Sequence, residues 1–336
     1  MPKRAPITED RLHHWKLLDR FRQEVLPLLQ ARPQTTTTSD PRRTLLAEDY
    51  FCAFLFAMLN PVVTSMRALC HASHCAKMRQ VCSAPISPAA FSAAQHQFAP
   101  EVLDQVVRKL ARQALGQGQG GDARTRQALA ALTAVDGTLL RAVPRMAWTP
   151  AAGPTWAVRL HLHFSVFDQV PEAWTITPGN VCERKIFNQT VQPGAMIVAD
   201  RYFSNHHALL EDLRGQGPDF RVVRLEAHGD VFLLITTRED LAAELIGLIY
   251  RQRWQIELFF KWIKTILNCR HWLAESPAGV TLQIYCVLIA ALLLMLWTGQ
   301  RPNKRAVESL RLYWMGLATA RDLVKLLQRA QPRQKS

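Results

Sequence analysis

A group of residues in the last third of the sequence has side chains and spacing that could do chemistry together. Tyr250, Arg253, Glu257 and Lys264 follow one another at intervals of three, four and seven residues. At about 100° per residue, a helix would gather them within an arc of about 60°. That face would present a carboxylate, able to bind a metal ion, among cations and an aromatic ring. Arg253 and Glu257 are also an ordinary i, i+4 ion pair of a solvated face, so spacing alone leaves both interpretations open.

Two aspartates in predicted strands add further carboxylates. Asp136 lies inside an apolar strand, and Asp200 directly follows the continuous apolar run Ala195–Ala199. A carboxylate at such a place is costly to bury unless it is paired or binds a metal, and strand ends beside a sheet are where sites form. Asp136 with Gly137 could instead form a hairpin turn, and either aspartate could cap a helix. Taken with Glu257, the aspartates suggest three hard oxygen ligands for Mg²⁺.

Apolar patterns after residue 130 predict a mixed sheet flanked by helices. The predicted strands are Leu132–Val143, Trp156–Val166, Ala173–Pro178, Ala195–Ala199, Phe220–Leu225 and Val231–Thr237. A helix is predicted at about 204–214, and a long helix at about 239–269 carries the group described first. Because Ala195–Ala199 shows no alternation, we expect it to be buried on both faces. His161 and His163 lie on the polar face of their strand and are expected to face solvent or a helix.

Both ends of the sequence have helical periodicity. The predicted N-terminal helices cover 10–31, 44–60, 62–72, 87–97 and 100–115, and 280–330 is predicted to be helical with a basic tail. Ser87 and Pro88 open one helix as an N-cap followed by proline at the first helical position. The apolar stretch Ile284–Trp297 falls short of the about 18 residues needed to span a bilayer, so it predicts a buried helix. Gly116–Asp122 is a glycine-rich break and a candidate domain boundary.

The charge of the chain favours a polyanionic partner. Its 336 residues include 41 basic and 27 acidic ones, a net charge of +14. Each phosphate that a basic protein neutralises releases counterions and adds sequence-independent affinity. A merely basic protein, or one that binds acidic membranes, has the same composition. The start of the chain lacks a signal-peptide pattern, and the odd number of scattered cysteines suggests a reducing compartment. Near Cys70 and His74 there is no CxxC pair, which favours small buried cysteines over a zinc site.

The pattern Tyr250-x2-Arg253-x3-Glu257-x6-Lys264 resembles the Tyr-Arg-Glu-Lys signature of DDE transposases of insertion sequence family 4. The match is complete in residue type and spacing. Other segments that are similar to this family are Val135–Thr138, Leu160–Leu162 and Val198–Phe203. The resemblance spans about 130–297 and, more loosely, the helical N-terminal part.

This resemblance implies a ribonuclease-H-like catalytic core whose carboxylates hold two Mg²⁺ or Mn²⁺ ions. The implied catalytic residues and metal ligands are Asp136, Asp200 and Glu257. Water would free a 3′-OH at the transposon end, and that 3′-OH would then attack target DNA. The implied contacts to phosphates near the cleaved end are Tyr250, Arg253 and Lys264. The implied partners are double-stranded DNA, as inverted repeats and as target, and a second copy of the chain on that DNA.

One departure from the family concerns the segment between Asp200 and Glu257, which is short here. Relatives often carry a long β-rich insertion at this place. In some relatives the insertion supplies a tryptophan that stacks on a flipped base during hairpin formation on DNA. No tryptophan lies between Asp200 and Trp254 in this sequence, so the route of second-strand cleavage stays open. Trp254 is a weak stacking candidate, and packing at the helix edge is the favoured interpretation.

We therefore predict an α/β protein: a ribonuclease-H-like mixed sheet flanked by helices, an all-α N-terminal region and a helical C-terminal segment. The predicted segments are a DNA-binding region 1–115, a linker 116–127, a catalytic core 128–275 with a minimal insertion, and C-terminal helices with a basic tail 276–336. Ser83–Phe91 could be the second half of a helix-turn-helix, or the region could be a charged bundle. The predicted function is that of a cytoplasmic, nucleoid-associated DNA transposase. A metal-dependent nuclease on the same fold and an inactive DNA-binding relic are the alternatives.

Overall fold

The computed structural model describes the chain with gaps. It covers residues 16–31, 45–60, 62–115, 131–143, 146, 148, 151–152, 155–190, 195–200, 221–227, 230–236, 238–265, 267, 269, 271–298 and 303–330. The described helices are α1 (Lys16–Gln30), α2 (Ala47–Leu59), α3 (Met66–Ala72), α4 (Pro88–Gln97), α5 (Glu101–Ala114), α6 (Glu183–Thr190), α7 (Ala243–Gln252), α8 (Trp254–Thr265), α9 (Pro277–Thr298), α10 (Lys304–Trp314) and α11 (Ala320–Ala330), with a 3-10 helix at Ala76–Gln80. The described strands are β1 (Leu132–Arg141), β2 (Ala151–Ala152), β3 (Thr155–Ser165), β4 (Val170–Pro178), β5 (Met196–Ala199), β6 (Arg221–Ala227) and β7 (Asp230–Thr236).

Contacts between residues divide the described chain into two compact units. The helical unit draws its residues from Met1–Gln117, Leu140–Trp156 and Lys261–Ser336, and the sheet unit draws its residues from Gly118–Leu139 and Ala157–Phe260. Helices from the two ends of the chain therefore share one unit, although the sequence suggests separate segments for them. The segment boundaries proposed from the sequence stay a prediction.

Helix α9 forms the centre of the helical unit. It packs against α1, α2, α4 and α5, and its residues from Ile284 to Leu294 are buried apart from half-buried Tyr285. The partner helices are amphipathic or largely apolar; α5, for example, buries residues at helical spacing, namely Val102, Leu103, Val106, Val107 and Leu110. Helix α9 is long and apolar enough to cross a membrane, but 83% of its most apolar window is buried inside the protein. The prediction of a buried helix at Ile284–Trp297 is confirmed.

The sheet unit is built on a mixed sheet. Strand β1 lies between β5, which runs parallel to it, and β3, which pairs antiparallel with β4 on its other side. Helix α6 lies along β3, where His163 Nε2 and Thr190 Oγ1 are 2.7 Å apart. Helix α8 packs Phe259 on Phe164 of β3, with ring centroids 5.0 Å apart. The predicted mixed sheet flanked by helices is thus confirmed.

Two details of this sheet differ from the expectations drawn from the sequence. Strand β1 runs without a turn from Leu132 to Arg141, so Asp136 and Gly137 do not form the alternative hairpin turn. The sequence predicts burial on both faces for β5, but only Val198 is buried and the other residues of the strand are half-buried. Among the described residues β5 pairs with β1 alone. A strand with one neighbour is covered less than a central one, which explains the difference.

Strands β6 and β7 form a separate antiparallel hairpin in the segment predicted to hold a minimal insertion. One face of the hairpin buries Val223 and Leu234 against Ile246 of α7. The opposite face is exposed, with Val222 at 60% exposure. The predicted strands after residue 220 are therefore present as this hairpin, whereas the helix predicted at about 204–214 lies outside the described residues.

Candidate active site

Strands β1 and β5 bring the two predicted catalytic aspartates to neighbouring positions. Their parallel register pairs Val135 with Ala199, and the next residue on each chain is Asp136 or Asp200. Neighbouring strands are about 4.8 Å apart, so the two backbones are close at this point. The Gly137 N–H donates to Oδ1 of Asp136 at 2.7 Å, which fixes that carboxylate relative to its own strand.

Glu257 comes from the helical segment that follows the hairpin. The sequence predicts one long helix at about 239–269, but the chain forms α7 and α8 with a joint at Arg253. There the Arg253 N–H donates to the Tyr250 carbonyl and the Ile256 N–H donates to the Arg253 carbonyl. These are i→i+3 bonds of the 3-10 type instead of α-helical i→i+4 bonds. Tyr250 therefore lies in the last turn of α7, and Glu257 lies in the first turn of α8.

Arg253 lies among the acidic side chains of this site. Its Nη1 donates to Oε1 of Glu257 at 2.6 Å, and its side chain is only 13% exposed. Burial alone would lower the pKa of Arg253, but the hydrogen bond and charge of Glu257, together with the charge of Asp200, raise it. Its Nε is buried and has no hydrogen-bond partner within the described part of the chain. The guanidinium thus stays cationic, and Glu257 holds it through Nη1.

Asp136 is affected by the same neighbours. Burial, the largest cause, raises the pKa of Asp136; Glu257 and Asp200 act in the same direction, whereas the Gly137 N–H and Arg253 oppose it, and the resulting value is about 6. Carboxylates from β1, from the end of β5 and from α8 therefore interact with one another around a single arginine. Asp136, Asp200 and Glu257, which we call the acidic cluster, therefore lie within electrostatic range of one another and of Arg253.

The remaining signature residues, Tyr250 and Lys264, have different surroundings. The guanidinium carbon of Arg253 lies 5.8 Å from the centre of the Tyr250 ring, and Tyr250 also packs against the core of the β6–β7 hairpin. Lys264 lies in the last turn of α8, in the part of this helix that belongs to the helical unit. Trp254, next to Arg253, is 54% exposed. Packing at the helix edge, the favoured interpretation for Trp254, stays a prediction.

The acidic cluster suits a divalent metal ion in its chemistry. Carboxylate oxygens are the donors that Mg²⁺ and Mn²⁺ prefer. The raised pKa of Asp136 results mainly from burial, and the charges of Glu257 and Asp200 add to it. The described residues nevertheless contain no ready-made group of three or more His, Cys, Asp or Glu side chains that could hold an ion. Glu257 is bound to Arg253 instead. This bond occupies Oε1 of Glu257, which becomes available to a metal ion only when Arg253 moves away.

A buried ion pair lies behind strand β1 next to Asp136, and sequence analysis did not predict it. Glu183, at the start of α6, pairs with Arg159 of β3, and both side chains are less than one-fifth exposed. A Cβ on Gly137 would lie 3.1 Å from the carboxyl carbon of Glu183. Glycine next to Asp136 therefore leaves room for this ion pair on the other face of β1. Only the alternation of β3, which places Arg159 on its polar face, could have pointed to the pair.

His161 and His163 face protein groups. The Nε2 atom of His161 lies 2.9 Å from Oγ1 of Thr177, and that of His163 lies 2.7 Å from Oγ1 of Thr190 in α6. Burial lowers the pKa of both histidines, with Arg159 adding to the effect at His161, whose pKa is about 4. The expectation that His163 faces a helix is confirmed. His161 does not face solvent, since it is 5% exposed, and its ring contacts a side chain of β4.

Comparison with known proteins finds similarity to transposases. Residues 128–293 match the family model described as the transposase DDE domain. The protein "Putative transposase y4zB" of Sinorhizobium fredii is 36% identical over 91 residues, which are 27% of this chain and 25% of the relative. The transposase for insertion sequence element IS421 of Escherichia coli is 39% identical over 87 residues, 26% of this chain and 24% of the relative. The "Probable transposase for insertion sequence element IS5377" of Geobacillus stearothermophilus is 32% identical over 89 residues, 26% of this chain and 23% of the relative.

The matched segments span about a quarter of the length of these curated relatives. No solved structure matches the chain. The matched range includes the positions of Asp136, Asp200 and Glu257. The acidic cluster therefore lies in the segment that is similar to the transposase DDE domain.

Proposed function

We propose that this chain is a DNA transposase that cleaves the ends of an insertion sequence of family 4 and joins the freed 3′-OH to target DNA. The observation that carries the proposal is the acidic cluster: Asp136, Asp200 and Glu257 come from three elements and interact around Arg253. A mixed sheet in which β5 runs parallel to β1 supports a ribonuclease-H-like core. The match to the transposase DDE domain supports the chemistry.

In-line displacement at phosphorus needs an activated nucleophile and a stabilised leaving oxygen. Two divalent ions, when bound, supply both. Asp136, Asp200 and Glu257 would hold these ions. Arg253 would move from Glu257 to a phosphate oxygen of the DNA, because a guanidinium pairs with phosphate as readily as with carboxylate. Binding of DNA would thus release Glu257 for the metal at the moment when the substrate arrives.

The DNA partner would be double-stranded and would comprise the inverted repeats of the element and the target. Tyr250 and Lys264 would join Arg253 in contacting phosphates near the cleaved end, and the exposed ring of Trp254 offers a surface on which an unpaired base could stack. The net charge of +14 fits such a partner. We expect the chain to work as a homodimer on DNA and to be a cytoplasmic, nucleoid-associated protein.

Removal of one carboxylate at a time tests this proposal. The variants Asp136→Asn, Asp200→Asn and Glu257→Gln keep the side-chain size but lose the charge that a metal ligand needs. Each is expected to slow cleavage at least about 10³-fold, while binding of the same DNA in EDTA stays within about threefold. The substrate is a duplex carrying the terminal repeat that flanks the gene. Asp240→Asn is the matched control, because Asp240 is an exposed carboxylate of the sheet unit that pairs with Arg238.

The control should cut at the rate of the unaltered protein. Full cleavage by any of the three cluster variants would contradict the metal assignment. Strand transfer decides the reaction class: the unaltered protein is expected to join a pre-cut end to a second duplex, whereas a nuclease on the same fold would cut without joining.

A further inference from the structure

The C-terminal helices α10 and α11 carry a higher density of positive charge than the rest of the chain. Residues 303–330 contain six basic and two acidic side chains, a net +4 over 28 residues, whereas the whole chain has +14 over 336. That is one net charge per 7 residues against one per 24, from 28/4 and 336/14. The two helices pack against each other within the helical unit.

The basic side chains of α11 form one stripe. Arg321, Lys325 and Arg329 are spaced by four residues, so they lie within an arc of about 80°. Leu323 and Leu327 are buried, at 0% and 2% exposure, and their arc is centred about 180° away from the stripe. All three basic residues are exposed. The apolar face of α11 is thus already occupied by packing, and the basic face points away from it.

Helix α10 also presents exposed cations. Lys304 and Arg305 are exposed, whereas Val307 and Leu310 are buried; Arg305 lies about 170° around the helix from the centre of the buried pair, and Lys304 about 90°. The ion pair recorded there joins Lys304 to Glu308 at 3.7 Å, with side chains 84% and 53% exposed. A pair so long and so exposed contributes little stability. These cations therefore remain available to an external anion.

In the N-terminal helices, several basic side chains form ion pairs with acidic side chains of the same unit. The described residues 16–31, 45–60 and 62–115 contain nine basic and six acidic side chains, a net +3 over 86 residues. Several of the basic side chains are engaged inside the unit: Lys109 with Glu24 at 2.5 Å, Arg22 with Glu48 at 3.0 Å, and Arg108 with Asp104 at 2.7 Å. Internal pairing lowers the capacity of this surface to neutralise phosphates.

We propose that the α10–α11 surface, centred on Arg321, Lys325 and Arg329, binds the phosphate backbone of double-stranded DNA. The inference rests on the proposed function, and it assigns to the C-terminal helices a DNA contact that the sequence suggests for the N-terminal region. Asp322, which accepts from the Thr319 hydroxyl, is the acidic side chain that Arg321 and Lys325 affect. The three exposed cations of the stripe exceed this one negative charge, so the stripe matches a polyanion. A membrane-surface helix would instead present its apolar face outward, and here Leu323 and Leu327 are buried.

A pair of matched variants in the full chain tests this surface. The stripe variant carries Arg321→Gln, Lys325→Gln and Arg329→Gln. The control variant also removes three positive charges from exposed helix positions of the helical unit, through Arg67→Gln, Arg108→Gln and Arg112→Gln. Binding of a 30-base-pair duplex without terminal repeats is measured in EDTA as a function of salt concentration. Melting temperatures of both variants are compared with that of the unaltered protein to verify folding.

The stripe variant is expected to bind at least about tenfold more weakly at low salt and to lose about one to three units of the slope of log affinity against log salt, since each phosphate contact contributes about 0.9. The control is expected to keep the slope of the unaltered protein. An unchanged slope in the stripe variant would overturn the proposal, and so would an equal loss in both variants. Binding of the unaltered protein to vesicles with anionic lipid but not to the duplex would also overturn it.

This measurement is separate from the test of the proposed function, because binding in EDTA requires no cleavage. A normal salt slope in the stripe variant together with loss of cleavage in the cluster variants would reject the surface and keep the transposase. A reduced slope together with full cleavage by the cluster variants would keep the surface and reject the metal assignment.

Discussion

Asp136 is proposed as a metal ligand, and the negative charge that this role needs is unfavourable for the stability of the folded protein. Its side chain is half-buried, and burial raises its pKa to about 6, with the charges of Glu257 and Asp200 adding to the effect. The residue types and their order along the chain were enough to predict the three carboxylates. The pairing of Glu257 with Arg253, and the ion pair of Glu183 behind β1, could not be predicted, because each depends on side-chain positions set by distant segments.

The raised pKa of Asp136 predicts a stability effect that depends on pH. A carboxyl whose pKa rises on folding, here from 3.8 to about 6, leaves the native state most stable below the unfolded pKa. That stability is lost as the pH rises through about 6, and the full loss corresponds to about 3 kcal/mol. Asp136→Asn removes the charge, so its melting temperature in EDTA should exceed that of the unaltered protein by several degrees at pH 7.5 and by less at pH 5.

Asp240→Asn serves as the control of opposite sign, because the hydrogen bond from Arg238 lowers the pKa of Asp240. This control variant should show no stabilisation at pH 7.5. Without divalent ions at pH 7.5, Asp136→Asn could instead melt at a lower temperature than the unaltered protein. That result would show that Asp136 stabilises the fold and would contradict the claim that its negative charge is destabilising.

At the scale of elements, local sequence signals predict where a helix starts better than where a helix is interrupted. Ser87 and Pro88 predict a helix start, and the Ser87 hydroxyl accepts from the Ala90 N–H at 3.1 Å at the beginning of α4. The joint between α7 and α8 was not predicted, because a single turn with i→i+3 bonds hardly changes the spacing of apolar residues along a helix. The burial of β5 depends on its sheet neighbours, which its own residues do not encode.

Helix α9 illustrates an element that holds other segments in place through one polar side chain. Gln283 is fully buried; its Oε1 accepts from the Leu273 N–H at 2.9 Å, and its Nε2 donates to the His271 carbonyl at 2.6 Å. Gln283→Leu would leave both backbone groups unpaired and should lower the free energy of unfolding by about 2–4 kcal/mol, measured by urea denaturation.

Thr281→Val on the same helix is the control, because the exposed Thr281 hydroxyl donates to the Pro277 carbonyl one turn earlier and has no other hydrogen bond among the described residues. Its free energy of unfolding should stay within about 0.5 kcal/mol of the original value. If Gln283→Leu were as stable as this control, the two backbone groups would have to find other partners, and the positioning role of α9 would be wrong.

At the scale of the whole molecule, the chain brings distant positions together in each unit. Asp136, Asp200 and Glu257 are separated by 64 and 57 residues, from 200 − 136 and 257 − 200, yet they meet in the sheet unit. The N- and C-terminal helices likewise share the helical unit around α9. The apolar composition of α9 predicts that it is buried. The helices that pack against it could not be identified from the sequence, because one apolar helix face can pack against many others.

The most direct test of the acidic cluster is metal-directed cleavage of the protein itself. Fe²⁺ can replace Mg²⁺ at oxygen ligands, and with ascorbate and peroxide it produces hydroxyl radicals that cut the nearby backbone. We predict fragments that begin or end near Asp136, Asp200 and Glu257, identified by mass spectrometry, in the presence of terminal-repeat DNA. Excess Mg²⁺ should suppress all three cuts, and Asp136→Asn should weaken them together. Cuts confined to other places, or cuts that Mg²⁺ does not suppress, would contradict the account.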